Sequence, residues 1–175
     1  MNPRLRMKLR AIRSTEQYAP VNIMVFDIDN TILEAVGTYE KDYDLNKFIR
    51  DNTFFKNLFL KKLPLCNSIK QYYNDENSIV VIQTARAKKW WLPLLLFIRG
   101  IRYDYLIQRP KSNNSPSATL KKSQLVDFVM KHSEIKNPFI AFIDDNKENR
   151  DSIQTMRNAH VYDANYYNSQ TKEKL

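Results

Sequence analysis

Short apolar runs recur along the chain, and most stop abruptly at a polar residue. Residues 21–27 read VNIMVFD, 78–84 read SIVVIQT, 103–108 read YDYLIQ and 138–144 read PFIAFID. Runs this short, rich in β-branched side chains, predict strands buried on both faces, as in a parallel sheet. Between them the spacing becomes helical. Residues 44–73 predict two helices, the first capped by Asp44 with Leu45, Phe48 and Ile49 on one face, the second started or broken by Pro64. Residues 87–99 predict an apolar helix with Gly100 just past its end. Helices are also expected over 119–132 and 147–158, and a last short strand over 160–162. The stretch 109–118, rich in Pro, Ser and Asn, reads as a loop.

Strands alternating with helices require crossover connections, which place helices on both faces of a mostly parallel sheet. The fold class is therefore α/β, a Rossmann-like three-layer sandwich. One domain over residues 20–163 is expected, with a small helical insert at about 35–77. Residues 1–19 read as a basic N-terminal tail and 164–175 as a polar C-terminal tail. A hydrophobic fraction of 43% over 175 residues is enough for one self-sufficient core. The single cysteine, Cys66, excludes an internal disulfide, and no Cys/His cluster suits zinc. The longest apolar run, 90–98, is interrupted by Pro93 and falls far short of the roughly 20 residues that span a bilayer. These features point to the cytoplasm or another reducing compartment.

The net charge of +9 fits either a polyanionic partner or a merely solvated surface. Arg4, Arg6, Lys8, Arg10 and Arg13 precede the first acid, Glu16, while Leu5, Leu9 and Ile12 fall at helical spacing. A nucleic-acid-binding arm, a mitochondrial targeting peptide and a plain tail all fit that pattern.

In a parallel sheet, ligands bind beyond the carboxyl ends of the strands. Here those ends carry Asp27, Thr84, Arg109 and Asp144. Asp27 and Asp29 stand two apart just past a buried strand, and Asp144 and Asp145 end another. Carboxylates desolvated together repel, so a cation is expected among them, and an all-oxygen donor set suits Mg²⁺. A carboxylate can also attack phosphorus when cations hold the phosphoryl oxygens. Lys121 and Lys122 supply candidate cations, and Thr84 a hydroxyl donor. The bland alternatives are helix caps for the acids and solvated helix charges for the lysines. Trp90–Trp91 reads as core packing rather than a surface for bases.

At these residues the chain resembles the haloacid dehalogenase (HAD) superfamily of phosphotransferases. FDIDNT at 26–31 is similar to its first motif, VVIQT at 80–84 to its second, Lys122 with the residues after it to its third, and FIDDNKEN at 142–149 to its fourth. The resemblance spans roughly residues 21–163. It implies a Mg²⁺-dependent phosphatase in which Asp27 is the nucleophile and Asp29 the general acid and base. Thr84 and Lys122 would bind phosphoryl oxygens. The carboxylates of Asp27 and Asp144 and the backbone carbonyl of Asp29 would hold Mg²⁺, with Asp145 in support. Lys121 is the other candidate for the lysine, because adjacent helical residues point about 100° apart and only one should face the pocket. Asn30 stands where the family often has Gly; Asn tolerates a positive φ. Asn30 and Thr31 are expected beside the substrate.

The spacings leave room for a minimal cap at most, so the pocket should admit a polymer end. Arg86 and Arg109 are expected at its rim, where arginine forks suit phosphate diesters. With them the chain resembles the 3′-phosphatase domain of phage-type polynucleotide kinase-phosphatases, although Ser117-Ala118-Thr119 replaces an acid expected shortly before the lysine. The implied substrate is a phosphorylated nucleic-acid end or a nucleotide. The alternatives are a 5′-nucleotidase or other small-molecule phosphatase, and a structural or RNA-binding subunit of a larger complex.

Overall fold

The computed structural model describes residues 2–14, 21–35 and 53–170. Within them lie five strands and seven helices: α1 (Pro3–Ser14), β1 (Asn22–Phe26), α2 (Phe54–Leu58), α3 (Leu65–Asn74), β2 (Ser78–Ala87), α4 (Leu92–Ile98), β3 (Tyr105–Arg109), α5 (Ser117–Lys131), β4 (Phe139–Asp144), α6 (Lys147–Gln154), β5 (Ala159–Asp163) and α7 (Ala164–Gln170). The helix expected from Asp44, with Leu45, Phe48 and Ile49, falls outside the described residues.

The strands form one parallel sheet in the order β3-β2-β1-β4-β5. The α/β three-layer expectation holds. Side chains of successive strand residues alternate between two cores. Met24, Phe26, Val80, Ile82, Ala141 and Ile143 face one, and Ile23, Val25, Ile79, Val81, Ile140 and Phe142 the other. The continuous apolar runs follow from this, because both faces are covered. The chain leaves β1 toward β2 but leaves β4 toward β5. The carboxyl ends of these neighbours therefore open a crevice where the strand order reverses.

Three elements differ from expectation. Strand β2 extends to Ala87 through a register shift between Thr84 and Ala87, so the following helix starts later, at Leu92. It ends as expected: Gly100 (φ +69°) donates to the Phe97 carbonyl and Ile101 to that of Leu96, a turn that needs the left-handed conformation.

Residues 3–14 of the expected tail form α1, whose Leu5 and Leu9 are buried in the second core. Lys8 is buried there too. Its Nζ donates to the carbonyls of Tyr73 (3.2 Å) and Ser78 (2.5 Å) and to Asp104 Oδ2 (2.9 Å). Residues 164–170 of the expected C-terminal tail form α7. Buried Asn168 pins it by accepting from the Leu65 amide and donating to the Thr31 carbonyl. Both helices are held by polar contacts to residues distant in sequence, which a local pattern does not reveal. Among the described residues, no helix is long and apolar enough to cross a membrane.

Candidate active site

Asp27 follows β1 directly, and its amide donates to the Ile143 carbonyl of β4 (3.0 Å), so the two strand ends are locked side by side. Asp144 ends β4 and is fully buried. Into the gap between them comes Lys121 of α5, 1% exposed. Its Nζ lies 2.6 Å from Asp27 Oδ1 and 2.5 Å from Asp144 Oδ2. Ligand atoms of Asp27, Asp144 and Asp145 all fall within 4.8 Å of one another, so this acidic triad could hold a metal ion. The donors are all oxygen, which fits a hard divalent cation.

Of the two candidate lysines, Lys121 enters the crevice. Lys122 does not face the crevice; its Nζ donates to Thr155 Oγ1 at the protein surface (2.6 Å). Helix rotation separates adjacent residues by about 100°. The rotation places Lys121 on the buried stripe of α5 with Leu125 and Phe128, and Gln83 Nε2 of β2 donates to the Lys121 carbonyl (2.8 Å). Gln83 lies inside the apolar run just before Thr84, and nothing local distinguished it.

Asp144 is oriented from behind. Asn149 Nδ2 donates to both its oxygens (3.0 and 3.1 Å) and the Asn146 amide to Oδ1 (2.9 Å). Asn146 also caps α6 by accepting from the Asn149 amide. Arg150 donates to the carbonyls of Asp144 and Asp145 (2.8 Å each) and so secures the strand end. Asn149 and Asn146 stand within the FIDDNKEN stretch, so the signal for them was present although no role was assigned. Asn30 adopts φ +52° and reaches Asp145 Oδ2 with its Nδ2 at 3.4 Å. Thr31 is buried, its Oγ1 without a hydrogen-bond partner among the described residues. Thr84 is fully buried, and its Oγ1 accepts from the Arg86 amide (3.1 Å).

The two arginines are not at an open rim. Arg86 is 3% exposed. Its Nε and one terminal nitrogen grip Asp29 by both oxygens (2.8 and 2.5 Å), while the other terminal nitrogen donates to Asn57 Oδ1 of α2. The register shift in β2 causes this, since the two residues between the paired Thr84 and Ala87 bulge out and re-aim the Arg86 side chain. Arg109 donates to the carbonyls of Ala85, Asn113 and Ser115 and ties the following loop to the same bulge. Each guanidinium thus satisfies protein acceptors that sequence alone could not pair with it.

Among the described residues, four carboxylates (Asp27, Asp29, Asp144 and Asp145) share this region with two buried cations, Lys121 and Arg86. The consequence falls on Asp27. Burial pushes its carboxyl up to about 8 from 3.8; Lys121 opposes the rise, and the charges of Asp144 and Asp29 add to it. Burial and then Asp144 also raise Asp145. For Lys121, burial works against the charge, but Asp27 and Asp144 outweigh it and hold the ammonium strongly protonated. Among the described residues the carboxylates here outnumber the buried cations, a condition that favours a bound cation.

No family model matches the chain, and no curated protein does. Solved structures do match its fold. A chain in "Structure of Pnkp1/Rnl/Hen1 complex" superposes with a TM-score of 0.60 at 15% identity, over 84% of this chain and 47% of that one. Another, in "Structure of the Pnkp1/Rnl/Hen1 RNA repair complex", gives 0.59 at 15%, over 86% and 46%. The protein therefore spans less than half the length of these neighbours and shares their fold over that part.

Proposed function

We propose that this chain hydrolyses phosphomonoesters through an aspartyl-phosphate, with Mg²⁺ as cofactor and a phosphorylated polynucleotide end as substrate. The observation that carries the reading is Lys121 bridging Asp27 and Asp144 at the crevice, with Asp145 in reach and negative charge in excess. The order of motifs along the chain supports the same chemistry. The fold shared with chains of an RNA repair complex favours a polynucleotide over a small molecule.

In this reading an Asp27 carboxylate oxygen attacks phosphorus, and the bond from phosphorus to the leaving oxygen breaks. Asp29 gives that oxygen a proton. A water then loses a proton to Asp29 and attacks the phosphorus of the aspartyl-phosphate, restoring Asp27 and releasing phosphate. Lys121, not Lys122, neutralises the phosphoryl oxygens, and Thr84, whose Oγ1 only accepts from the Arg86 amide, has its own proton to donate to them. Asp27, Asp144 and Asp145 would hold Mg²⁺, joined by the Asp29 carbonyl as the resemblance implies. When bound, the ion supplies positive charge at the phosphoryl group.

Arg86 acts on Asp29. The bidentate guanidinium holds both Asp29 oxygens and so fixes the orientation of the carboxylate. Proton delivery to the leaving group requires at least one of the two Arg86 bonds to open.

The test compares p-nitrophenyl phosphate, free nucleotides and 3′-phosphorylated oligonucleotides, with Mg²⁺ and with EDTA. Metal-dependent preference for the oligonucleotide, lost in Asp27→Asn, is the expected result. Equal or better turnover of mononucleotides would move the substrate to a small molecule. No metal-dependent turnover of any of them would leave a binding or structural subunit.

A further inference from the structure

Ten large hydrophobic side chains are exposed among the described residues, and six of them belong to two short segments, 53–62 and 88–103. Four of the six are aromatic: Phe55 (71% exposed), Phe59 (81%), Trp90 (84%) and Phe97 (60%). The segments form one layer. The ring of Phe54 in α2 meets that of Trp91 edge-on at 6.1 Å, and Arg99 donates to the carbonyls of Leu58 and Leu60. Trp91 is thus the core residue of the tryptophan pair, and Trp90 beside it is left in solvent.

Two further facts choose an occupant for this surface. The first is charge. The two segments hold seven basic residues (Lys56, Lys61, Lys62, Lys88, Lys89, Arg99 and Arg102) and no acidic one. Exposed aromatic rings among cations fit a chain of anions that carries flat, apolar faces. The second is position. Asn57 of α2 binds Arg86, which grips Asp29, so the layer borders the crevice at Asp27 by one side chain.

We propose that this aromatic and basic layer is the platform for the unpaired nucleotides that follow the phosphorylated end. This rests on the polynucleotide reading above and deepens it. Bases within a duplex already stack on their neighbours, so rings that offer free faces select a single strand. The exposed lysines Lys61, Lys62 and Lys88 hold the backbone, and that part of the affinity falls with salt.

The experiment uses the full chain carrying Asp27→Asn, so that nothing is turned over. Binding of a labelled single-stranded oligonucleotide is followed by anisotropy, with thermal melting as a check of folding. Trp90→Ala and Phe59→Ala are each expected to weaken binding about fivefold or more, the range of one lost base stack. An abasic oligonucleotide should bind the parent about as weakly. Lys88→Ala should reduce the slope of log affinity against log salt by about 0.7. Unchanged affinity in folded aromatic variants would overturn the proposal. So would variants that lose sedimentation with phosphatidylserine vesicles while keeping oligonucleotide binding, because the layer would then be a membrane contact. Platform binding by a parent chain that hydrolyses no phosphomonoester would count against the phosphatase reading alone. Hydrolysis without platform binding would count against this inference alone.

Discussion

Two buried lysines sit at opposite ends of the same sheet, and their surroundings differ in one respect. At the amino end, Lys8 of α1 meets Asp104, with Arg4 Nε 3.6 Å from the same carboxylate. Asp104 also accepts from the Val80 amide, and Lys8 fills its remaining donors with two backbone carbonyls. Two cations face one acid there, although among the described residues Asp104 Oδ1 and Arg4 Nε make no hydrogen bond. At the carboxyl end, Lys121 and Arg86 face four acids, and one of these, Asp27, is driven up to about 8. Burial of a lysine therefore does not mark the site. An excess of buried carboxylates over cations does, because it leaves work for an added cation and an anionic ligand.

The largest effect expected from breaking this contrast is at Asp27. Asp27→Asn should lower kcat by about 10³-fold or more, as removal of a nucleophile does, with no loss of melting temperature. A variant that keeps a tenth of the activity would remove Asp27 from the chemistry.

Next comes the other end. Lys8→Met leaves the Asp104 carboxylate buried with only the more distant Arg4, and breaking one partner of such a pair costs about 3–5 kcal/mol. Denaturant unfolding should read that loss, while the protein that remains folded should bind Mg²⁺ as the parent does. A loss of Mg²⁺ binding without a loss of stability would make the two ends alike.

Lys121→Ala should then cost about 10²–10³-fold in kcat/KM, the usual scale for a group that stabilises transition-state charge. The smallest effect is Lys122→Ala, which removes only an exposed hydrogen bond to Thr155. Its stability change should stay below about 0.5 kcal/mol and its activity within about twofold. Reversal of these last two results would restore the assignment suggested by the motif spacing.

This pair also shows where the sequence stopped being legible. The acids at 27, 29, 144 and 145 end buried runs, and that arrangement is local, so they could be found from pattern alone. Spacing did not choose between Lys121 and Lys122, because each is followed at i+4 and i+7 by apolar residues (Leu125 and Phe128, or Val126 and Val129), and only the packing of α5 buries the first set. The roles of Arg86 and Arg109 were likewise hidden in the β2 bulge, which turns one to Asp29 and leaves the other fastening a loop. Basic spacing at the N-terminus suggested a tail, yet Lys8 finds its acid 96 positions away. Trp90 and Trp91 are adjacent and chemically identical, and tertiary packing of Trp91 into the first core, with Phe54 against its ring, separates a core ring from an exposed one.

The central claim is that carboxylates outnumber their cations at the carboxyl end of the sheet, among the described residues, and that Asp27 registers the excess. In the ion-free chain the folded state holds the Asp27 proton more tightly than the unfolded state, where the ordinary value is 3.8. The fold accordingly loses stability as pH rises from about 4 to 8. A cation that binds Asp27 must expel that proton over the same window. The direct measurement is calorimetric titration of Mg²⁺ against pH for the parent chain and for Asp27→Asn. The parent affinity should climb about tenfold per pH unit below pH 8 and level off above it, while Asp27→Asn should bind far more weakly with a flatter profile. Affinity that is independent of pH in the parent, or equal in the two proteins, would contradict the account.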